Sequence, residues 1–279
     1  MICFYHGADF DGKCSAAVVA RRYPDCELIP IDYGQPFPWE KIHSDETVIM
    51  VDFTLQPYSD MVRLKALCQL VWIDHHKTSL EWAEQENFDC MGLRSIQLAG
   101  CELTWNYLFG LELPCPTAVY LLGRYDVWDH HNEMVLPFQY GMRLRAMSPN
   151  CREWWEILFT QEKVVSEIVE VGKICLDYAE KGHAGICEMC GFDLTWEGLL
   201  WTVVNGPYRG SMVHKSRFDS TKHDAMLGFF WTGKQWLFSL TTDKPGVDVS
   251  EIARKYGGGG HKGAAGFQAD VLPFTLNKG

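Results

Sequence analysis

Short apolar runs that alternate with helix-like segments constrain the fold of this chain more than any other feature. The runs have strand length and lie at residues 1–5, 27–31, 47–51 and 70–73. Segments with helical spacing of apolar residues separate them at 12–22 and 56–66, and another follows at 79–86. Strands that alternate with helices predict a mostly parallel sheet with helices on both faces.

Acidic and histidine residues follow these predicted strands. His6, Asp9 and Asp11 lie on the turn after the first strand, and Asp52 ends the run that begins at Thr47. The triplet 74–76, Asp-His-His, follows the run that ends at Ile73. Ligands of open α/β sheets bind beyond the carboxyl ends of the strands, so these side chains are expected to meet at one rim.

The length and the change of composition along the chain predict two domains. A chain of 279 residues exceeds the size at which one hydrophobic core usually keeps growing. Residues 1–160 form the predicted catalytic α/β domain, and residues 161–184 form a connecting helix. Residues 185–279 form a smaller α/β domain, with strands expected at 199–204, 225–231, 235–241 and 264–267 and a helix at 249–256.

Composition narrows the possible partners and the location. The net charge is −11, which disfavours stable binding of long nucleic acid, because Lys and Arg supply most of that affinity. No apolar run approaches the roughly 20 residues of a membrane span. The 11 cysteines are an odd number without a framework spacing, as expected of reduced thiols. A cytoplasmic protein without a membrane partner is predicted, and its oligomeric state is left open.

The acidic and histidine residues have the chemistry of a two-metal hydrolytic site. Such a site needs carboxylates and imidazoles that converge from several elements. The candidate ligands are His6, Asp9, Asp11, Asp52, His75 and Asp126. A set of oxygen and nitrogen ligands without thiolates suits two divalent ions, Mn²⁺ first and Mg²⁺ as the alternative.

The order of these motifs resembles that of the DHH phosphoesterases. The motifs read His6-Gly-Ala-Asp9-Phe-Asp11-Gly12, Val51-Asp52-Phe53, Asp74-His75-His76 and Arg124-Tyr125-Asp126. The segments 247–253 and 257–267, which include the run Gly-Gly-Gly-Gly-His-Lys-Gly, resemble the DHHA1 domain that accompanies them. The resemblance covers nearly the whole chain. It implies a metal-dependent phosphoesterase with a catalytic DHH domain and a substrate-binding DHHA1 domain.

The resemblance also implies roles for individual residues. Asp52 would bridge the two ions and support the attacking hydroxide, His76 would face the scissile phosphate, and Asp74 would orient the histidine pair. The first motif departs from the common family form, because Asp9 stands three positions after His6 instead of four. Whether His6 or Asp9 is a direct ligand is therefore left open.

The glycine-rich loop is the predicted substrate-binding element of the second domain. Glycines have no Cβ, so backbone N–H groups approach an anion closely. The predicted contacts come from Gly258, Gly259, Gly260, His261, Lys262 and Arg209. The family's Ser-Leu-Arg-Ser pattern reads Ser-Leu-Thr-Thr at 239–242, so Arg209, Lys215 and Lys262 are the candidates for the missing phosphate contact. The alternative is a tight connection between a helix and an edge strand.

Two other motifs are interpreted as look-alikes. Residues 129–131 repeat the Asp-His-His triplet, but they follow a helix-like run instead of a strand. His183, Cys187 and Cys190 resemble half of a zinc site, but no second CxxC or His pair follows at a usable spacing. Neither is expected to bind a metal.

Three functions are compatible with these motifs. The leading hypothesis is a phosphodiesterase or exonuclease that acts on short oligonucleotides or related nucleotides, held in the cleft between the domains. An inorganic pyrophosphatase or exopolyphosphatase is the alternative enzyme, although the GGGGH loop argues against it. A nucleotide-sensing module without catalysis is the alternative of another class.

Overall fold

The chain forms two compact units. The computed structural model describes residues 1–110, 112–145, 147–207 and 211–275. The first unit is Met1–Leu176 and the second is Asp177–Gly279. The predicted domain limits of 160 and 184 remain a prediction.

A parallel four-stranded sheet forms the centre of the first unit. Its strands are β1 (Ile2–His6), β2 (Glu27–Ile31), β3 (Thr47–Val51) and β4 (Gln69–Ile73). They are arranged in the order β2-β1-β3-β4, and every pair of neighbours is parallel. Because all four strands run the same way, their carboxyl ends lie along one edge. The predicted fold class is confirmed.

Helices cover both faces of this sheet. They are α1 (Phe10–Arg22), α2 (Ser59–Leu67), α3 (Lys77–Gln85), α4 (Gly100–Phe109), α5 (Thr117–Asp126), α6 (Val135–Met142), α7 (Arg152–Thr160) and α8 (Glu162–Cys190), of which α8 continues into the second unit. Alternate residues of β1 enter different cores. Cys3 and Tyr5 pack with α1, α4 and α5, whereas Ile2 and Phe4 pack with α2 and α3. This alternation is the period of two expected of a strand buried on both sides.

Two helices differ from the sequence expectation. The sequence analysis did not predict α6, because its core-facing residues form an apolar run without helical periodicity, and Pro137 lies in its first turn, where proline is tolerated. Helix α8 extends to Cys190, beyond the expected end at 184. Gly182 and Gly185 do not interrupt it, because glycine in a helix costs only about 1 kcal/mol.

The second unit contains a mixed six-stranded sheet. Its strands are β5 (Gly191–Trp196), β6 (Leu199–Asn205), β7 (Ala225–Trp231), β8 (Trp236–Thr241), β9 (Gly259–Gly260) and β10 (Ala264–Ala269). Their order is β5-β6-β7-β8-β10-β9. Helix α9 (Val249–Lys255) packs on this sheet, over a core that includes Trp201, Phe229 and Phe238. The sequence analysis did not predict β5 or β9.

None of the helices formed by the described residues is long and apolar enough to cross a membrane.

Two glycines of α8 give a matched test of its packing. A Cβ at Gly172 would collide with the carbonyl oxygen of Pro137, whereas a Cβ at Gly182 would meet nothing within 4 Å. We expect Gly172→Ala to lower the free energy of unfolding by about 1–3 kcal/mol or more. Gly182→Ala should raise it by up to about 1 kcal/mol, since alanine favours helix. Thermal unfolding of both variants checks this, and equal midpoints would contradict the packing of α8 on α6.

His214 is expected to make stability depend on pH. It is 1% exposed, and burial lowers its pKa from 6.5 to about 4. Between pH 6.5 and pH 4 this histidine therefore binds more protons in the unfolded chain than in the folded chain. The free energy of unfolding is highest at neutral pH in this respect and decreases as the pH falls. The expected loss at pH 5 is about 2 kcal/mol.

The test compares thermal unfolding at pH 7.5 and pH 5 in the wild type and in His214→Leu. The loss of stability at pH 5 should be about 2 kcal/mol smaller in His214→Leu than in the wild type, whereas His43→Leu, at an exposed histidine, should show the same loss as the wild type. An unchanged pH dependence in His214→Leu would show that His214 does not contribute to it.

Candidate metal centre

The turn between β1 and α1 brings two candidate ligands together. His6 ends β1, and Asp9 caps α1 by accepting a hydrogen bond from the Gly12 N–H at 3.0 Å. The other carboxylate oxygen of Asp9 lies 3.0 Å from His6 Nδ1. Gly12 is required here, because a Cβ would collide with the backbone carbonyl of His6. The tight turn therefore holds His6 and Asp9 next to each other.

Asp11 is held by the first residues of α4. The backbone N–H groups of Gly100 and Cys101 donate to its two carboxylate oxygens, each at 2.7 Å. Helix N-termini favour negative charge, so the start of α4 is a favourable partner for the side chain of Asp11, which is only 3% exposed. A Cβ on Gly100 would lie 2.7 Å from the Cβ of Asp52. The sequence analysis did not predict this role of α4.

Asp52 lies at the centre of the site. It follows β3, and its N–H donates to the Ile73 carbonyl at 2.9 Å. Its φ of 53° is in the left-handed region, which costs a residue with a Cβ about 1–2 kcal/mol. Its Oδ1 lies 3.2 Å from His75 Nε2, and its Oδ2 lies 3.7 Å from His6 Nδ1. The two oxygens of one carboxylate thus face different histidines.

His75 connects Asp52 to the last residue of α5. Its Nε2 lies 3.2 Å from the carboxylate of Asp126 and 3.6 Å from that of Asp11. These side chains come from positions 11, 75 and 126 of the chain. The structure therefore brings together all six residues that the sequence suggested as ligands.

Asp74 and His76 form a buried pair beside these residues. Asp74 is fully buried, and its Oδ1 lies 2.7 Å from His76 Nδ1 and accepts from the His75 N–H at 2.7 Å. Thr54 donates to its other oxygen. Asp74 thus fixes the orientation of the His76 ring, whose Nδ1 lies 4.0 Å from Asp52.

The electrostatics of the site follow from several carboxylates crowded in a small volume. Burial raises the pKa of Asp52 well above its usual range, and the charges of Asp11 and Asp9 raise it further. Burial also raises the pKa of Asp126 well above its usual range. Burial disfavours protonated His6, but the carboxylates of Asp52 and Asp9 outweigh it and raise its pKa to about 11. The site therefore attracts positive charge.

The residues fit a pair of divalent cations. Three groups of the described residues offer ligand atoms within 4.8 Å of one another. They are His6 with Asp9 and Asp52, Asp11 with His75 and Asp126, and Asp52 with His75 and His76. Both oxygens of Asp52 are buried without a hydrogen bond from the described residues. A buried carboxylate without donors is unfavourable, and a cation would compensate it.

Asp32 belongs to the same edge, but the sequence analysis did not select it. It directly follows β2, and its carboxylate lies 3.5 Å from His6 Nε2. The rule that ligands follow strand ends applies to Asp32 as it does to Asp52. The signal was therefore present in the sequence.

Glu102 and Arg124 tie α4 to α5 behind the site. Glu102 accepts from the Ala99 N–H at 3.3 Å and forms an ion pair with Arg124. Arg124 also lies 3.5 Å from Asp129. A Cβ at Gly123 would lie 2.5 Å from the Glu102 carboxylate, so glycine leaves room for this pair. Arg124 stands two residues before Asp126, and the pair therefore limits the movement of that ligand.

The predicted substrate loop is a hairpin of the second unit. Gly259 and Gly260 form β9, and the His261 N–H donates to the Ala264 carbonyl at 2.7 Å to close the turn into β10. The φ of Gly260 is 139°, which only glycine adopts readily. Gly258 precedes the strand, and Lys262 lies in the exposed turn. Arg209 lies outside the described residues, and the binding role of the loop remains a prediction.

The look-alike motifs take no part in a metal-type cluster of the described residues. The second triplet, at 129–131, follows the end of α5, and none of its residues belongs to a described group of ligand atoms. His183, Cys187 and Cys190 lie on α8, where the Cys187 thiol donates to the Val213 carbonyl at 2.7 Å.

The two Asp-His-His triplets offer a matched test of metal binding. His75→Ala removes a ring that contacts three carboxylates, so we expect Mn²⁺ affinity to fall at least about tenfold. His131→Ala makes the same change at the exposed histidine of the second triplet and should leave the affinity unchanged. Titration calorimetry with Mn²⁺ measures both. Equal affinity of His75→Ala and the wild type would contradict the assignment.

Comparisons with known proteins agree with this fold. No family model matches the chain. It is 24% identical over 235 residues to the uncharacterized protein R106 of Acanthamoeba polyphaga mimivirus, covering 80% of this chain and 53% of that protein. The chain thus spans about half the length of this relative.

Two solved structures have the same fold. The DHH domain of a member of a family of ribosomal proteins is 14% identical with a TM-score of 0.59, over 96% of this chain and 82% of that one. The pGpG-specific phosphodiesterase PggH from Vibrio cholerae is 15% identical with a TM-score of 0.50, over 97% and 93%. The resemblance inferred from the sequence is confirmed at the level of the fold, and the chain has the fold of DHH-domain proteins.

Proposed function

We propose that this chain is a metal-dependent phosphodiesterase that hydrolyses short oligonucleotides or related nucleotides. The observation that carries the proposal is the buried Asp52 carboxylate, which accepts no hydrogen bond from the described residues and belongs to two groups of ligand atoms, one with His6 and Asp9 and one with His75 and His76. The fold supports it, because one neighbour is a phosphodiesterase of a dinucleotide. The proposed location is the cytoplasm.

Two divalent ions, Mn²⁺ or Mg²⁺, would be held by these side chains. His6, Asp9 and Asp52 would hold one, and Asp11, Asp52, His75 and Asp126 would hold the other. Asp52 suits the bridging position, since its two oxygens face different histidines. Bound ions of this kind lower the pKa of a coordinated water and neutralise the charge of phosphoryl oxygens.

His76 would orient the substrate phosphate. Burial disfavours the protonated form of His76, but the charge and hydrogen bond of Asp74 outweigh it and raise the pKa of His76 to about 9. Asp74 holds the proton on Nδ1, and Nε2 would donate to a phosphoryl oxygen. A protonated imidazole would stabilise the negative charge that develops there.

The charge of the chain favours a short substrate. With a net charge of −11, a long nucleic acid would be repelled outside the metal centre. The hairpin of Gly258, Gly259, Gly260 and His261 is proposed to contact the substrate. The N–H groups of Gly258 and His261 already donate to the carbonyls of Ala253 and Ala264, so Lys262 and Arg209 are the candidate phosphate contacts. The same ligands would also suit a pyrophosphatase or exopolyphosphatase, so the substrate must be tested directly.

The test is hydrolysis of four substrates with Mn²⁺. They are a 5′-labelled RNA dinucleotide, a 24-mer RNA, a cyclic dinucleotide and pyrophosphate. The wild type should release mononucleotides from the dinucleotide. Asp52→Asn should reduce the rate at least about 100-fold, because it removes the charge of the bridging position. Asp25→Asn, at an exposed aspartate, makes the same change outside the site and should retain the wild-type rate.

Three other outcomes would contradict the proposed function or the assigned site. Hydrolysis of pyrophosphate alone would replace the proposal by a pyrophosphatase. Binding of dinucleotide without hydrolysis of any substrate would indicate a sensing module. Equal activity of Asp52→Asn and Asp25→Asn would contradict the assigned site.

A further inference from the structure

A pocket of about 360 Å³ lies beside the candidate metal centre, within the first unit. It is formed by the segment that follows β2 and by the segment that follows β3. Its aromatic walls are Tyr33, Phe37, Trp39 and Phe53, and we call it the aromatic pocket. Its volume is in the range of small-molecule sites, which begins at about 300 Å³.

The aromatic pocket adjoins the candidate ligands directly. Asp32 lines it, and the same carboxylate lies 3.5 Å from His6 Nε2. Phe53 follows Asp52 in the chain, and its ring centroid is 5.9 Å from that of His6. The Tyr33 ring lies 4.5 Å from Phe53 and 6.0 Å from His6. A group joined to a phosphate at the metal centre would therefore reach this pocket.

The charges of the lining exclude phosphate as the occupant. Asp32 and Asp60 contribute carboxylates, and none of the described residues that line the pocket is Lys or Arg. The amides of Gln35 and Gln56 are exposed at the lining. A phosphate would be repelled, whereas an uncharged ring with N–H groups would find carboxylate and amide acceptors.

The walls are suited to a flat ring. Phe53 is 4% exposed and Tyr33 is 43% exposed, and their rings pack at 4.5 Å with a tilt of 31°, so the tyrosine is supported by a buried ring and remains accessible. Phe37 and Trp39 pack at 4.8 Å, and the Arg63 guanidinium lies 3.8 Å over the Trp39 ring. These contacts hold the opposite wall in place. Bases stack on such aromatic side chains irrespective of sequence.

We propose that the aromatic pocket binds the nucleobase of a nucleotide whose phosphate lies at the metal centre, with Tyr33 as its stacking surface. The proposal rests on the proposed function and adds to it a reason why a nucleotide substrate is preferred to pyrophosphate. Asp32 has two roles in it, since it faces both the pocket and His6. Tyr33 is a binding residue and takes no part in the chemical step.

The experiment combines a protein variant with a change in the substrate. Hydrolysis of an RNA dinucleotide is compared with that of two dinucleotides in which the 5′ or the 3′ base is replaced by an abasic sugar, all with Mn²⁺. Tyr33→Ala should raise KM for the intact dinucleotide about tenfold or more, as expected of a lost stacking contact. One of the two abasic dinucleotides lacks the base that would occupy the aromatic pocket. For that dinucleotide, the wild type and Tyr33→Ala should have the same KM.

Two variants serve as controls. Tyr33→Phe keeps the ring and should behave as the wild type. Tyr178→Ala makes the same truncation at a tyrosine that is 81% exposed on α8 and should leave all KM values unchanged. If Tyr33→Ala raised KM equally for intact and abasic dinucleotides, or changed neither, the proposal would be overturned.

Failure of the proposed function has a different signature. In that case the wild type hydrolyses none of the dinucleotides, and the pocket is tested by equilibrium binding of AMP, GMP and ribose 5-phosphate with Mn²⁺. Tighter binding of either nucleotide than of ribose 5-phosphate, lost in Tyr33→Ala alone, would support the pocket without the activity. Equal binding of all three compounds would overturn it.

Discussion

Burying an ionised carboxylate costs several kcal/mol unless hydrogen-bond donors or a cation compensate it, and Asp52 is 1% exposed without such a donor among the described residues. Its backbone also adopts a left-handed φ of 53°. Both costs fall on one residue at the end of a central strand, where β1 and β4 on either side prevent it from moving away. Strain of this kind persists only where the surrounding structure enforces it, and it concentrates at functional sites. A bound cation would compensate the buried charge of Asp52.

The residues around Asp52 keep that centre rigid. Helix α4 holds Asp11 with two backbone N–H groups, and its Glu102 pairs with Arg124 of α5. Helix α5 in turn ends at Asp126, 3.2 Å from His75. The candidate ligands therefore come from distant parts of the chain, but ion pairs and hydrogen bonds connect the elements that carry them. Residues that hydrogen-bond to metal-binding side chains influence the metal affinity and the geometry of a site as much as the metal-binding side chains do.

The sequence predicted those features that depend on local rules. Strand-length runs followed by acidic residues predicted the parallel sheet and the edge where His6, Asp52 and His75 meet. The sequence analysis did not predict the hold of α4 on Asp11, because that contact joins residues about 90 positions apart and depends on how helices pack. Helix α6 is missed because a fully buried helix loses its polar face and with it the periodicity that identifies it. Asp32 obeys the strand-end rule as Asp52 does, so its place at the edge of the sheet was predictable from the sequence.

The ligand set alone does not determine the substrate, because two ions among carboxylates and histidines would activate water against any phosphoryl group. Discrimination has to come from the groups beside the centre, and on one side these are aromatic rings with two carboxylates. Such a wall would not stabilise bound pyrophosphate, whose negative charge would be repelled by Asp32 and Asp60. It does favour a substrate that carries an uncharged ring next to its phosphate. In this proposal, the acidic character that would attract cations to Asp52 would also select, at the adjoining aromatic pocket, against substrates that consist of phosphate alone.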